Sequence, residues 1–139
     1  MAPADLPKPR PVPTAVTEPY WEALREERVV LQHCNACGAW VHYPRARCST
    51  CLSADLAWEE VSGQGTVFTF TVTRQATAPA FADEVPQLIA IVELAEGVHV
   101  TTTIVDAAPD AVRIGAPVAP VFDHGDDGVT LLRHRLARA

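Results

Sequence analysis

Basic residues are scarce in this sequence of 139 residues, with 11 Lys and Arg against 17 Asp and Glu and a formal net charge of −6. Nucleic acids and anionic membrane surfaces are bound by clustered Lys and Arg, so the charge balance argues against both as principal partners. The sequence also lacks an apolar run approaching the roughly 18–20 residues of a membrane span. We therefore expect a globular protein that binds neither nucleic acid nor a membrane.

The beginning of the sequence lacks the pattern of a secretory signal peptide, which is a basic region followed by an apolar stretch. Five prolines stand in its first thirteen residues instead. Because proline fixes φ and has no N–H group, we expect residues 1–16 to form an extended arm. The composition leaves open whether this arm is a linker from a longer chain or a segment that lies along a partner. Without a signal peptide, the expected location is cytoplasmic.

Sequence motifs of common catalytic sites are also missing. There is no G-x-S-x-G nucleophile elbow, no Walker loop and no His-x-Glu pair of a zinc deaminase. His99 and His124 can act as bases in principle, but the sequence offers neither an evident orienting partner, so we interpret both as surface residues. The sequence therefore predicts that this chain is not an enzyme by itself.

Residues 17–28 are predicted to form a short helix. Thr17 is a suitable N-cap, and Tyr20, Trp21 and Leu24 fall on one face of such a helix. A helix of about twelve residues is marginal in isolation. We therefore expect this helix to dock against the rest of the chain or against a partner.

All four cysteines lie in residues 29–58, in two C-x-x-C motifs with ten residues between them. Two residues between cysteines allow one tight turn to direct both sulfurs at the same ion, and two such turns complete a tetrahedral zinc site. The predicted metal ligands are Cys34, Cys37, Cys48 and Cys51, and the predicted cofactor is one structural zinc ion per chain. Four thiolates leave no position for water or substrate, so a catalytic zinc is not expected.

Other interpretations of the four cysteines are weaker. Iron in a rubredoxin-like site uses the same ligands, and the spacing alone does not distinguish it from zinc. Paired disulfides are typical of small secreted domains, and a thioredoxin-like redox motif accompanies a βαβ unit that this sequence lacks. His33 and His42 flank the motifs and can in principle replace a cysteine ligand, but we interpret both as partly exposed hairpin residues.

The remaining residues, 59–139, are predicted to be all-β. Apolar runs bounded by Gly and Pro turns indicate five strands. They are Thr66–Arg74, Gln87–Leu94, Val98–Val105, Pro117–Phe122 and Val129–Leu132. Five strands with an irregular connection after the third are typical of a closed barrel of the OB type. The predicted fold is therefore mainly β, with a short N-terminal helix, a rubredoxin-like zinc ribbon and a C-terminal five-stranded OB-fold barrel.

Many OB folds bind single-stranded nucleic acid, and this is the alternative function that the sequence leaves open. Such proteins stack bases on exposed aromatic side chains within a basic groove. Here the two middle strands contain no aromatic residue, and Thr101, Thr102 and Thr103 stand where stacking side chains are expected. Together with the net charge of −6, this favours a protein partner.

The order of these motifs resembles the DUF35 family of zinc-ribbon and OB-fold proteins, over approximately residues 18–135. The resemblance rests on Cys34-x-x-Cys37-Gly38, Tyr43-Pro44-Arg45, Cys48-x-x-Cys51, Trp58, Val61-Ser62-Gly63-x-Gly65-Thr66-Val67, Leu94-x-Glu96-Gly97 and Val112-Arg113-Ile114-Gly115-x-Pro117-Val118. The sequence departs from the family at Gln87, where an aromatic residue is common, and at Arg45-Ala46, where the family has more proline.

The resemblance implies a function that the composition does not show. Family members are similar to non-catalytic subunits of complexes built around thiolase-fold enzymes. The implied partner is a thiolase-like or lipid-transfer-protein-like aldolase or thiolase, such as one that cleaves a steroid side chain, with a MaoC-like enoyl-CoA hydratase as a further partner. The chain is then expected to complete the acyl-CoA channel of that enzyme. Tyr20, Trp21 and Trp40 are the expected interface residues, since Tyr and Trp dominate hot spots; their packing within this chain is the alternative.

Overall fold

The structure is a computed structural model that describes residues 7–137. Within this range the chain forms one α-helix and eight β-strands, arranged as a small sheet followed by a barrel. Residues 1–6 of the predicted arm lie outside the described residues. None of the helices between residues 7 and 137 has the length and apolar character needed to cross a membrane.

Helix α1 spans Glu18–Arg25, within the predicted 17–28. It ends where Glu27 takes a left-handed conformation with φ 59°. This turn lets the N–H of Arg28 donate to the carbonyl oxygen of Ala23 at 2.9 Å, which satisfies one of the free carbonyls at the helix end. The chain thereby reverses direction and enters the first strand.

A three-stranded antiparallel sheet follows the helix. Strand β1 (Val29–Cys34) lies in its centre, with β2 (Trp40–Val41) on one side and β3 (Leu56–Val61) on the other. The sequence does not predict β3 as a strand, because Glu59 and Glu60 interrupt its apolar pattern. Pairing along its whole length with β1 forms it instead.

The five later strands form a closed barrel. They are β4 (Gly65–Thr73), β5 (Gln87–Leu94), β6 (His99–Ile104), β7 (Pro117–His124) and β8 (Thr130–Leu136). Neighbouring strands follow the order β4-β5-β6-β8-β7, and β4 pairs with β7 to close the ring. The predicted fold class, a mainly β chain with a ribbon and a five-stranded barrel, is confirmed.

The last strand is longer than its prediction, which ended at Leu132. Strand β8 continues to Leu136 and pairs with β7 along its whole length. In the sequence, Arg133 and Arg135 look like part of a solvated basic tail. Because side chains alternate between the two faces of a strand, the intervening His134 points into the barrel, where its exposure is 0%. Long-range pairing therefore overrides the local polar composition.

The barrel core consists of buried aliphatic side chains from several elements. Its members are Leu31, Val67, Leu88, Ala90, Val92, Leu94, Val100, Ile104, Val112 and Val118. Full burial of one such Val, Leu or Ile side chain contributes roughly 1.5–3 kcal/mol to folding. Leu31 belongs to β1 of the small sheet, so the ribbon and the barrel share one core.

The ribbon and the barrel are joined closely at Gly63, between β3 and β4. This residue has φ +74°, and a Cβ atom there would lie 2.9 Å from Val29 Cγ2 and 3.0 Å from Pro120 Cγ. Its carbonyl oxygen accepts a hydrogen bond from His134 Nε2 at 3.0 Å. Only glycine allows this approach of the two parts without strain.

The described part of the arm lies across the barrel of its own chain. Lys8 forms an ion pair with Glu84 at 3.0 Å. The Arg10 guanidinium donates to both carboxylate oxygens of Asp127, at 2.8 and 3.1 Å, and to the carbonyl oxygen of Val129 at 3.1 Å. These contacts hold residues of the arm beside the β7–β8 hairpin.

Candidate functional site

The two C-x-x-C motifs meet at one point beside the small sheet. The four Sγ atoms of Cys34, Cys37, Cys48 and Cys51 all lie within 4.8 Å of one another. The Sγ atoms of Cys34 and Cys51 are 3.6 Å apart, as are those of Cys37 and Cys48. A disulfide has sulfurs about 2.05 Å apart, so these distances describe four free thiols.

The arrangement of the sulfurs fits a tetrahedral metal site. A regular tetrahedron with zinc–sulfur bonds of about 2.3 Å has sulfur–sulfur edges of about 3.8 Å, close to the 3.6 Å found here. Cys34 and Cys48 are buried while Cys37 and Cys51 are exposed, so one side of the site faces the sheet and the other faces solvent. Four sulfur donors are the ligand set of a closed structural zinc site.

Backbone groups of the second motif favour an ionised ligand at Cys48. The N–H groups of Cys51 and Thr50 lower the pKa of the Cys48 thiol to about 6. The N–H of Thr50 donates to Cys48 Sγ at 3.3 Å. Since a metal binds the thiolate and not the thiol, this turn prepares one ligand before the ion arrives.

His33 is directed away from the four sulfurs. Its ring stacks on Trp40, with ring centroids 4.1 Å apart and an interplanar angle of 9°. Nδ1 lies 2.9 Å from a carboxylate oxygen of Glu59, and Nε2 lies 3.0 Å from the carbonyl oxygen of Gly38. Both ring nitrogens are thus engaged, and this residue does not replace a cysteine.

His42 is half-buried and also lies outside the four-sulfur cluster. Its ring packs beside Tyr20 at 5.8 Å and beside Tyr43 at 4.1 Å between centroids. Its Nε2 atom is shielded from solvent and has no hydrogen-bond partner among the described residues. Burial lowers the pKa of His42 to about 4, so its ring is neutral at physiological pH.

The three aromatic residues predicted for a partner interface occupy different environments. Tyr20 is 9% exposed and packs edge-on against Trp21, with centroids 5.3 Å apart. Trp40 is half-buried against the barrel core and His33. Trp21 is half-buried, and it lines a groove between α1 and the barrel. A role of these residues in binding a partner stays a prediction.

The two surface histidines do have carboxylate neighbours that the sequence does not reveal. His99 Nε2 lies 2.9 Å from Glu93, across the β5–β6 hairpin. His124 lies 2.8 Å from the Thr130 hydroxyl through Nδ1 and 3.2 Å from Glu27 through Nε2. Both rings remain on the surface, as expected.

His134 is a buried polar residue that the sequence analysis missed. Its Nε2 donates to the carbonyl oxygen of Gly63, and its Nδ1 accepts from the Thr102 hydroxyl, each at 3.0 Å. Burial lowers the pKa of His134, so the ring stays neutral and links β8, β6 and the junction of the two parts. The alternation of Leu132, His134 and Leu136 is the signal that marks it as inward-facing.

Comparison with protein families gives two adjoining matches. Residues 21–57 match the rubredoxin-like zinc ribbon domain of ChsH2, and residues 58–123 match its C-terminal OB-fold domain. Together these matches include all four cysteines and four of the five barrel strands. They agree with the division of the chain into a small sheet and a barrel.

Individual relatives and a solved structure support the same assignment. A DUF35 domain-containing scaffold protein of Methanocaldococcus jannaschii is 38% identical over 117 residues, covering 78% of this chain and 81% of that protein. A probable enoyl-CoA hydratase alpha subunit of Thermomonospora curvata is 36% identical over 124 residues, covering 89% of this chain. The chain spans only 38% of that hydratase subunit. The solved structure of an Ltp2-ChsH2(DUF35) aldolase has a TM-score of 0.83 and 36% identity, covering 93% of this chain and 100% of the matched chain.

Proposed function

Because the chain belongs to the DUF35 family, in which a ChsH2-type zinc ribbon precedes an OB fold, we propose that it is a non-catalytic scaffold subunit of an acyl-CoA enzyme complex. The observation that carries this proposal is the full-length similarity to a DUF35 chain from an aldolase complex. The name of the Methanocaldococcus jannaschii relative, a DUF35 domain-containing scaffold protein, supports it further.

The proposed partner is a thiolase-fold aldolase or thiolase, and a hydratase is a second partner. The thiolase-fold partner is supported by the similarity to the Ltp2-ChsH2(DUF35) aldolase structure. The hydratase is supported by two relatives named as hydratase alpha subunits, one of them the 3-oxo-4,17-pregnadiene-20-carboxyl-CoA hydratase alpha subunit of Mycobacterium tuberculosis. The chain spans 38% and 35% of those two subunits.

The zinc site contributes to this function through the fold and not through chemistry. We propose that one zinc ion, bound by Cys34, Cys37, Cys48 and Cys51, cross-links the two loops of the ribbon. The cluster beside these loops is small, with Val41 packed against Cys34 and Cys48. Metal binding then supplies the stability that such a core lacks.

A partner surface is proposed on the ribbon and helix side of the molecule. Tyr43 is 52% exposed and Leu52 is 69% exposed there, and large apolar side chains in such positions are typical of interaction sites. Trp21 and Tyr43 both line the groove between α1 and the barrel, so we assign Trp21 to the same surface. Tyr20 and Trp40 contribute from beneath by holding the helix and the ribbon in place. In the complex, this face is proposed to complete the wall of the partner's acyl-CoA channel.

The proposal is tested by co-expressing the full chain with a thiolase-like protein encoded near its gene. We expect the two proteins to elute together, and we expect the acyl-CoA activity of the partner to fall when the chain is omitted. Trp21→Ala should weaken the complex at least tenfold, as expected for a central aromatic anchor. Phe68→Ala, at an aromatic residue that is 52% exposed on β4 and outside this groove, is the matched control and should leave binding unchanged.

Two outcomes would count against this function. Separate elution with unchanged partner activity contradicts the scaffold proposal. Salt-dependent binding of the purified chain to a single-stranded oligonucleotide would instead support the nucleic-acid alternative.

A further inference from the structure

Arg10 of the arm lies in a small socket on the turn between β7 and β8. Its Nε donates to Asp127 Oδ2 at 2.8 Å, and its Nη2 donates to Asp127 Oδ1 and to the carbonyl oxygen of Val129, each at 3.1 Å. A guanidinium presents its N–H donors as a planar fork that fits a carboxylate at two points. The socket therefore recognises the shape of an arginine as well as its charge.

Gly125 provides the space in which the guanidinium lies. Its backbone does not adopt the positive φ that favours glycine, so the conformation of the turn is open to other residues. A Cβ atom there would collide with Arg10 Nη2, and it would crowd Asp127 Oδ1 at 2.8 Å and the carbonyl oxygen of Val129 at 3.0 Å. A side chain at residue 125 would thus close the socket.

The socket is more specific than a general attraction between acidic residues and a base. The hydrogen bond with Asp127 raises the pKa of Arg10 most, and the charges of Asp123 and Asp126 raise it further. Among the described residues, Arg10 forms its side-chain hydrogen bonds with Asp127 and Val129 alone. Asp126 therefore contributes charge to the turn without contributing to the geometry of the socket.

Lys8 anchors the same segment two residues earlier. Its Nζ atom lies 3.0 Å from Glu84 and 5.9 Å from the centre of the Phe81 ring. Residues i and i+2 of an extended chain point to the same side, so Lys8 and Arg10 reach the barrel together. Prolines on both sides of Arg10 restrict its backbone, which lowers the entropy lost when the segment docks.

The attachment of the arm is of a kind that can open. Lys8 and Arg10 hold residues 7–13 by side chains that are 40% and 31% exposed, and ion pairs exposed to water are weak. None of the residues from 7 to 16 is buried. The chain is anchored again at Thr14, whose carbonyl oxygen accepts the N–H of Glu18 at 2.8 Å. The segment before Thr14 can therefore leave the barrel while α1 stays in place.

From these observations we propose that the β7–β8 turn is a binding site for one arginine side chain of an extended, proline-rich segment, and that the chain's own arm fills it as a removable latch. When the latch opens, the site takes an arginine between prolines from another polypeptide. Pro13 and Asp127 line a cavity of about 240 Å³ together with Trp21, so opening also uncovers one side of this tryptophan. The proposal goes beyond the scaffold function, since it assigns a peptide site to a turn that the scaffold function does not use.

The test uses the zinc-loaded full chain with an arm that cannot latch. The double variant Lys8→Met/Arg10→Met frees the site, and a synthetic peptide of residues 7–14 is the probe. We expect the peptide to shift the backbone amide signals of Gly125 and Val129 in ¹⁵N NMR spectra of this variant. The parent chain should bind the peptide about tenfold more weakly, because its own arm competes at a high effective concentration. The Arg10→Lys form of the peptide lacks the planar fork and should also bind about tenfold more weakly.

Substitutions in the turn separate the shape of the socket from its charge. In the double variant, Asp127→Asn should weaken peptide binding about tenfold, because it removes the carboxylate that the arginine binds. Asp126→Asn removes an equal charge from the same turn and should change binding by about twofold at most. Gly125→Ala should abolish binding. Unchanged amide signals of Asp123 and Leu131, which pair across the hairpin, show that the hairpin is still folded.

The latch itself is observed in the parent chain without any peptide. Arg10→Met should lower the heteronuclear NOE of the Val12 amide, which reports motion on the picosecond to nanosecond timescale, and should shift the indole N–H signal of Trp21. Arg135→Met removes an equal charge from an exposed position on β8 and should leave both signals unchanged.

Particular results would overturn the site. Equal peptide binding by the parent chain and the double variant would show that the arm does not occupy it. Equal effects of Asp126→Asn and Asp127→Asn would reduce it to an unspecific attraction between charges. The absence of any shift at millimolar peptide would contradict binding of an arginine from another polypeptide. Co-elution with the partner enzyme is measured independently, so failure here leaves the scaffold proposal standing.

Discussion

Gly38 and Leu52 hold equivalent positions in the two cysteine turns. Each follows the second cysteine of its C-x-x-C motif, and each has a left-handed backbone, with φ +79° and +66°. The N–H of Gly38 donates to the carbonyl oxygen of Cys34 at 2.9 Å, and that of Leu52 donates to Cys48 at 3.0 Å. The second turn therefore places a leucine where the first uses glycine.

Replacement of this leucine by glycine should stabilise the ribbon. A left-handed conformation costs a non-glycine residue about 1–2 kcal/mol, and the 69% exposed Leu52 side chain gains little burial in return. We expect Leu52→Gly to raise the free energy of unfolding by about 1 kcal/mol, measured by urea denaturation of the zinc-loaded protein. Gly38→Ala should lower it by a similar amount. If Leu52→Gly were destabilising, the leucine would have packing that its exposure does not reveal.

Loss of one cysteine should remove the metal and unfold the ribbon. We expect elemental analysis of the purified chain to give one zinc per chain, and Cys34→Ser and Cys51→Ser to lower both zinc content and melting temperature. Leu31 joins the ribbon to the barrel core, so the barrel should lose stability too. The metal content also decides between zinc and iron. A metal-free serine variant with an unchanged melting temperature and unchanged partner binding would contradict a structural metal.

The two buried histidines should make the fold less stable in mild acid. Burial lowers the pKa of His42 to about 4 and also lowers that of His134, whereas both are near 6.5 in the unfolded chain. Below pH 6.5 the unfolded state therefore binds more protons than the folded state, and stability falls as the pH falls. Each histidine contributes up to about 1.4 kcal/mol per pH unit between its two pKa values.

His42→Phe isolates one of these contributions. The phenyl ring keeps the packing against Tyr20, removes the unpaired buried nitrogen and cannot titrate. Unfolding measured at pH 5 and at pH 7.5 should show a smaller loss of stability in the variant than in the parent. Because zinc binding also depends on pH, the comparison is between the two proteins at each pH. An identical pH dependence would mean that the pKa of His42 is the same in the folded and the unfolded state.

Gly63, at the junction of ribbon and barrel, should tolerate alanine poorly. Gly63→Ala imposes a positive φ on alanine and places its methyl group 2.9 Å from Val29 Cγ2, so we expect a loss of about 2–3 kcal/mol. Gly97→Ala is the matched control, because this residue has φ +90° but nothing within 4 Å of a Cβ atom. It should cost only the backbone strain, about 1 kcal/mol. Equal losses in chemical denaturation would show that the close contact at Gly63 relaxes without cost.

The four-cysteine cluster and one central strand were largely determined by local sequence. A C-x-x-C turn orients both sulfurs through a few backbone angles. The spacing of Cys34 and Cys37 therefore predicts this cysteine turn without knowledge of the rest of the fold. Strand β5, Gln87–Leu94, was predicted with its exact bounds. A nearly continuous apolar run between a Pro turn and a Gly turn fits few structures other than a strand. The family resemblance rests on the same local motifs.

The tertiary structure decided what depends on residues far apart in the chain. Strand β3 forms through pairing with β1, and β8 extends past Leu132 because β7 pairs with it. The contacts of His134 with Gly63 and Thr102 join positions 71 and 32 residues away. The groove lined by Trp21 exists only where α1 meets the barrel. Local sequence limits the backbone conformations of neighbouring residues, whereas burial, pairing and cavities depend on which distant surfaces meet.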